Sequence, residues 1–260
     1  MFKLLLIIAF FYVIICILVY FSQEKLIFHP DKLDINHPFY FDAVFEELFL
    51  EVDSDIRLHA LHFKVNDPKG IVFYVHGNAG SLQDWGHLHE LYKSLGYDLF
   101  MFDYRGFGKS NGSIITENQF FEDVQKMYDY VKKMYDEAQI IVQSFSIGSA
   151  AAAKIVAENH PRKFIMKAPY FSLEKLVRAR YFMLPKMLLK YPFYTFNYLE
   201  KIQVPLVIFH GTADELIPFS HSKLLKSHVP RLELLLIQGC LHNDIPYAQL
   251  YCKTMAELLD

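Results

Sequence analysis

The chain has 260 residues, with 26 Lys and Arg against 29 Asp and Glu, for a formal charge of −3. That length suits one large α/β domain or two small ones and is ample for a hydrophobic core. The near-neutral balance without a basic run argues against nucleic acid as the main partner, and 53% hydrophobic residues rule out a disordered chain.

Greasiness is concentrated at the start. Leu4 to Phe21 is an unbroken run without a charge; as a helix it would be about 27 Å long, close to the hydrocarbon thickness of a bilayer. A cleaved signal peptide is the competing reading. The run exceeds the usual apolar core of such a peptide, and no small-x-small cleavage site follows it. The residues before Cys16 (Val13-Ile14-Ile15) are too large for lipoprotein processing. Residues 1–22 therefore read as an uncleaved, single-pass N-terminal membrane anchor. Lys3 and the α-amine precede it and Lys25 and Lys32 follow, so the positive-inside count leaves its orientation open.

Residues 23–40, with His29-Pro30 and His37-Pro38, read as a connector, and residues 41–260 as one domain. Phe41 to Val65 alternates in short runs around Asp53-Ser54-Asp55, the pattern of two antiparallel strands. From Gly70 the rhythm changes to fully apolar runs alternating with helical stretches. The runs are Ile71–Val75, Leu99–Phe102, Ile140–Val142, Phe164–Met166, Leu206–Phe209 and Leu232–Ile237. Helices are expected over Leu82–Leu95, Thr116–Tyr135, Ile147–Asn159, Ser220–Ser227 and Pro246–Leu258. Such alternation predicts a mainly parallel sheet covered on both faces, eight strands in all with the first pair. Residues 173–203, rich in Phe, Tyr, Leu and Met, are too long for an ordinary connection and are expected to form a short helical cap over one end of the sheet.

The stretch Ile140-Ile141-Val142-Gln143-Ser144-Phe145-Ser146-Ile147-Gly148 runs a strand into Ser-x-Ser-x-Gly and then an Ala-rich helix. This is the strand–turn–helix setting of a nucleophile elbow, where small residues must stand two before and two after the serine. Ser144 and Gly148 satisfy that for Ser146, whereas Ser144 as nucleophile would have Val142 in the first position. On its own the motif is also an ordinary helix start capped by serine. Downstream, Asp214 follows the strand Leu206–Phe209, and His242 follows the strand Leu232–Ile237. Each stands just past the carboxyl end of a strand, in the chain order serine, acid, histidine. A serine hydroxyl needs a base, which His242 can be, and Asp214 can hold its tautomer.

These residues, with His76-Gly77-Asn78-Ala79-Gly80 and Asp103-Tyr104-Arg105-Gly106-Phe107-Gly108, resemble the alpha/beta hydrolase superfamily from about Gly70 onward. The branch most similar is that of membrane-linked, single-domain serine hydrolases that includes esterases and acyl-protein thioesterases. Ser144 and Ser149 stand where that family often has Gly. The resemblance implies an oxyanion hole from the backbone N–H groups of Asn78 and Ile147, with Ala79 as the alternative to Asn78 and the Asn78 side chain as a brace of its loop. It implies neither metal nor organic cofactor.

Other signals lead elsewhere. Gly106–Ser110 ends like a phosphate loop, but Asp103 stands where that pattern needs Gly. Asp103 and Arg105 read as a structural turn network. His59, His62, His87 and His89 lack partners at metal-ligand spacing. Three cysteines cannot make a disulfide framework; Cys240 and Cys252 can pair or stay free. The expectation is a membrane-anchored serine hydrolase acting on an ester or thioester of a lipophilic small molecule or an acyl-protein. The alternatives are an aminopeptidase-like serine peptidase and a non-catalytic binding protein on the same fold. Oligomeric state is left open.

Overall fold

A computed structural model describes all 260 residues. The chain opens with helix α1 (Phe2–Ile27), whose first ten residues are all exposed. This helix runs five residues past residue 22, the expected end of the anchor, because its last turns are held by partners far away in sequence. Strand β1 (His29–Pro30) follows, then the hairpin β2 (Val44–Asp53) and β3 (Ile56–Lys64). Asp55 turns this hairpin with a φ of +61°, a left-handed conformation that Asp tolerates better than most residues.

Beyond the hairpin come β4 (Ile71–Val75), β5 (Ala79–Gly80), α2 (Leu82–Trp85), α3 (His89–Leu95), β6 (Asp98–Phe102), α4 (Glu117–Val131), β7 (Ile140–Phe145) and α5 (Ser149–Glu158). The last part holds β8 (Lys163–Lys167), α6 (Leu173–Arg180), α7 (Phe196–Leu199), β9 (Leu206–Gly211), α8 (Ser220–His228), β10 (Glu233–Ile237) and α9 (Gln249–Leu259). One eight-stranded sheet has the order β10-β9-β8-β7-β4-β6-β3-β2, while β1 and β5 form a separate parallel pair. Pairings from β6 through β4 to β10 are parallel; β2–β3 and β3–β6 are antiparallel.

The central strands are mainly apolar because both faces are covered. Ile71, Phe73 and Val75 of β4 point into a core beneath α4 and α5, whereas Val72 and Tyr74 enter a second core beneath α3 and α9. The chain leaves β4 for β6 on one side and later returns to β7 on the other. That reversal opens a crevice at the carboxyl ends of β4 and β7, the usual ligand position in such sheets.

Two expected elements differ. The helix foreseen over residues 82–95 is broken by a 3₁₀ turn at Gly86–Leu88. The Phe41 ring packs so close to Gly86 that a Cβ there would lie 2.3 Å from it. The insertion at 173–203 is less helical than foreseen: besides α6 and α7 it has one 3₁₀ turn, Lys186–Leu188, and is otherwise irregular. Pro185 and Pro192 supply no N–H for a continuous helix. All three cysteines are free.

Candidate active site

β7 ends at Phe145, and Ser146 then adopts a φ of +52° as the chain turns into a 3₁₀ turn (Ser146–Gly148) and α5. For a residue with a Cβ this left-handed geometry costs about 1–2 kcal/mol. The turn can be this tight because Gly148 abuts the end of β4: a Cβ there would meet Val75 O at 2.7 Å and His76 O at 2.9 Å. Ser144, two residues earlier, is fully buried between β4 and β8. The Ile147 amide opens the helical segment, where N–H groups have no acceptor within the helix.

Asp214 follows β9 in a turn that it closes itself. Its Oδ1 accepts hydrogen bonds from the amides of Leu216 (2.9 Å) and Ile217 (2.8 Å). Its Oδ2 lies 2.6 Å from His242 Nδ1 and 3.2 Å from His210 Nε2. Burial works against the carboxylate, yet the hydrogen bonds from His210, His242 and the Ile217 amide outweigh it and hold Asp214 well below the usual carboxylate range. Asp214 is therefore ionised at any physiological pH. It fixes the proton of His242 on Nδ1 and leaves Nε2 free to accept one.

His242 rests on the Phe145 ring, with centroids 4.8 Å apart. Ser146 and His242 are each 7% exposed and border one cavity of about 250 Å³, together with Asn78, Ile147, Leu173 and Val177. The Ser146 hydroxyl and the imidazole make no direct hydrogen bond in this arrangement; such contacts are often long before substrate binds and tighten in the complex. The Asn78 side chain does not project to substrate: its Nδ2 donates to Ile27 O (2.8 Å), and the backbone carbonyl of Asn78 accepts from the His29 amide (2.8 Å). The loop carrying Asn78 is thus tied to the end of α1.

His210 was not singled out in the sequence. Its Nδ1 accepts from the Ser222 hydroxyl (2.6 Å), and its Nε2–H points at Ile217 O (2.8 Å) and Asp214. The signal available was a histidine closing a strand four residues before the acid, too common a spacing to stand out. Asp103 and Arg105 lie in buried structural networks: Asp103 accepts from the Leu82 amide (3.1 Å), and Arg105 forks onto Asp123 (2.6 and 2.8 Å). His62 pairs with Asp98 (2.8 Å) and His59 with Glu47 (3.0 Å), while His87 and His89 bond backbone carbonyls of their own turns. Cys240 is buried with its Sγ toward Leu241 O, and burial pushes its thiol pKa up.

Comparison with known proteins agrees with this architecture. The family model described as serine aminopeptidase, S33 (Hydrolase_4) matches residues 66–196, half of the chain. Alpha/beta hydrolase domain-containing protein 17C of Mus musculus is 27% identical over 229 residues, covering 84% of this chain and 68% of its own. Uncharacterized protein R595 of Acanthamoeba polyphaga mimivirus is 24% identical over 238 residues, covering 82% and 80%. Among solved structures, the Pyrococcus furiosus esterase Pf2001 superposes with a TM-score of 0.69 at 21% identity, over 89% of this chain and 98% of that one, which is a likeness of fold. The chain belongs to the alpha/beta hydrolase superfamily, within the family of that serine aminopeptidase model, and is a hydrolase by descent.

Proposed function

We propose that the protein is a membrane-anchored serine hydrolase that cleaves carboxylic ester or thioester bonds of lipophilic acyl substrates, with Ser146, His242 and Asp214 as its triad. The observation that carries this reading is a serine in left-handed backbone on a strand-to-helix turn, sharing one cavity with an imidazole bound at 2.6 Å to a buried carboxylate. In the first half-reaction Ser146 Oγ bonds to the substrate carbonyl carbon while His242 Nε2 takes the hydroxyl proton. The amides of Ile147 and Asn78 receive the oxyanion; losing one such donor typically slows an enzyme about 100- to 1000-fold. Collapse of the tetrahedral adduct breaks the bond to the alcohol or thiol, which leaves with the proton from His242. Water then repeats the sequence and returns the carboxylic acid and free Ser146.

A lipophilic acyl group is favoured by the cavity wall, which includes Leu173, Leu176, Val177, Ile217 and Tyr181. An aminopeptidase reading draws on the description of the matching family. Such an enzyme needs a carboxylate for the substrate ammonium, and no Asp or Glu lines this cavity; Arg180, which does, donates to Glu215 O and Leu216 O. α1 fits the anchor: its most apolar window has a mean hydropathy of 3.1 and is 6% buried. The mouse relative, by name a protein with a hydrolase domain, agrees with the chemistry and leaves the substrate open.

The test is turnover of p-nitrophenyl esters, an acyl-thioester and an aminoacyl nitroanilide, together with fluorophosphonate labelling. Ser146→Ala should lower ester and thioester turnover by several orders of magnitude and abolish labelling. Unchanged hydrolysis in that variant refutes the mechanism. Exclusive cleavage of the nitroanilide turns the assignment to a peptidase, and a folded wild type that neither labels nor turns over any substrate is a binding protein.

A further inference from the structure

The catalytic cavity is not walled by the hydrolase domain alone. Leu26 and Ile27, from the last turn of α1, border it opposite Val177 and Tyr181. These same four residues also line a second, largely apolar cavity of about 360 Å³ between α1 and the insertion, which continues to Val19 and Leu188. We propose that this cleft is an acyl-chain subsite, continuous with the catalytic cavity and open to the bilayer, so that the N-terminal helix is a wall of the substrate site as well as an anchor. The proposal rests on the reading of Ser146 as the residue that receives the acyl group.

Two features make the cleft a built one. First, its walls are pinned. Gln23 is buried and both donates to Leu188 O (2.7 Å) and accepts from the Lys190 amide (2.9 Å); Glu24 takes the Tyr191 hydroxyl (2.9 Å) and the Lys190 ammonium (3.0 Å). The Asn78–Ile27 bond fixes the same end of α1 to the loop beside Ser146. Second, its direction is set. The face of α1 covered by the domain is the stripe Tyr12, Cys16, Val19, Gln23 and Ile27, spaced by three or four residues. At its lower end the Tyr12 hydroxyl donates to Met183 O (2.7 Å). From Gln23 to Tyr12 the insertion therefore descends about 17 Å beside the apolar part of the helix. Phe182, Met183 and Met187 at its tip are 81%, 67% and 85% exposed. An apolar tip at that depth along an apolar helix is covered by lipid tails.

The occupant is the alkyl chain of an ester or thioester resident in the bilayer. It reaches Ser146 through the cleft without crossing water, and the cleft's apolar lining between α1 and the insertion suits an alkyl chain. Of the cleft's three charged residues, Glu174 and Arg178 pair with each other, and Lys186 is exposed.

The full chain in detergent micelles is assayed with p-nitrophenyl butyrate and p-nitrophenyl palmitate, for wild type, Leu188→Trp and Val19→Trp. The two indoles fill the cleft from opposite walls. Fluorophosphonate labelling of Ser146 counts active sites, so loss of folded protein does not alter the ratio of the two kcat/KM values. Each variant is expected to lower the palmitate-to-butyrate ratio at least tenfold. A ratio that stays within threefold of wild type in either variant, or a wild type that cleaves butyrate but not palmitate, overturns the subsite and leaves the serine-hydrolase reading standing. A wild type that cleaves neither ester overturns that reading first.

Discussion

Lys167 closes β8 with its ammonium fully buried, without a hydrogen-bond partner and without a counter-ion. Its Nζ lies 4.6 Å from the Tyr74 ring centroid, 5.4 Å from that of Tyr251 and 5.8 Å from that of Phe145. Burial pushes its pKa down from 10.5 to about 7. At 1.36 kcal/mol per unit, that shift corresponds to roughly 5 kcal/mol against the charged form; the facing rings offset about 1–2 kcal/mol of it, which leaves about 3 kcal/mol. The sign follows from proton counts. Between about pH 7 and 10.5 the unfolded chain holds a proton on this lysine that the folded chain lacks, so stability rises with pH across that window. Below pH 7 both states are protonated and the whole cost is present. Lys167→Met keeps the length of the side chain and removes the charge. It should raise Tm by about 6–12 °C at pH 6, at roughly 2–4 °C per kcal/mol for a domain of this size. Most of that gain should vanish by pH 10.5. Thermal unfolding followed by the single tryptophan, Trp85, whose ring is 5.5 Å from Phe145, reports it. A Tm difference that is constant from pH 6 to 10, or a Met variant less stable than wild type at pH 6, refutes the reasoning.

Three further outcomes follow from the site. Ser146→Gly should unfold at a higher temperature than Ser146→Ala, by about 1–4 °C in the same assay, because glycine alone relieves the left-handed backbone, partly offset by its greater freedom when unfolded; equal midpoints would mean that the elbow stores no strain. Asp214→Asn should lower kcat roughly 10,000-fold with Ser146 still in place, since an amide no longer selects the reactive tautomer of His242. Because the folded carboxylate is held below its ordinary range, wild type should also lose stability as pH falls below about 4, and the Asn variant should lose less, as pH-dependent denaturation will measure.

What the sequence disclosed was whatever leaves a local pattern. The run Ile71–Val75 coincides with β4 residue for residue, because every residue of that strand is buried and all five are apolar or aromatic. The six apolar runs and the alternating pair account for the eight strands of the main sheet, and the three candidate residues follow three of them. Tertiary partners left no such trace. The extension of α1 to Ile27 depends on Gln23 and Glu24 meeting residues near position 190, and nothing in Ser22–Ile27 announces that. The break at Gly86 depends on a ring forty-five residues earlier, Phe41. The insertion was legible by length and composition, yet its helical content was overestimated, since apolar side chains there meet α1 and the cavity instead of repeating along one helix face. His210 stayed hidden because a second histidine on one carboxylate is a fact of geometry with no spacing of its own.

Asn78 shows why anchor and chemistry are hard to treat apart. Asn78 borders the cavity that holds Ser146, while its side chain and backbone carbonyl are committed to Ile27 and His29. An oxyanion donor is effective only when its N–H is already aimed before the charge appears, and donors in a loop lose that preorganisation when the loop is free to move. The bonds that aim this loop come from the end of a helix whose other end lies in the apolar run. Any force that tilts α1 relative to the domain, bilayer thickness included, therefore acts on the Asn78 loop and on the Leu26–Ile27 wall together. On the proposed reading, α1 is part of the preorganisation of the site: Gln23 and Glu24 hold the insertion, Ile27 holds the Asn78 loop, and Tyr12 holds the insertion's tip.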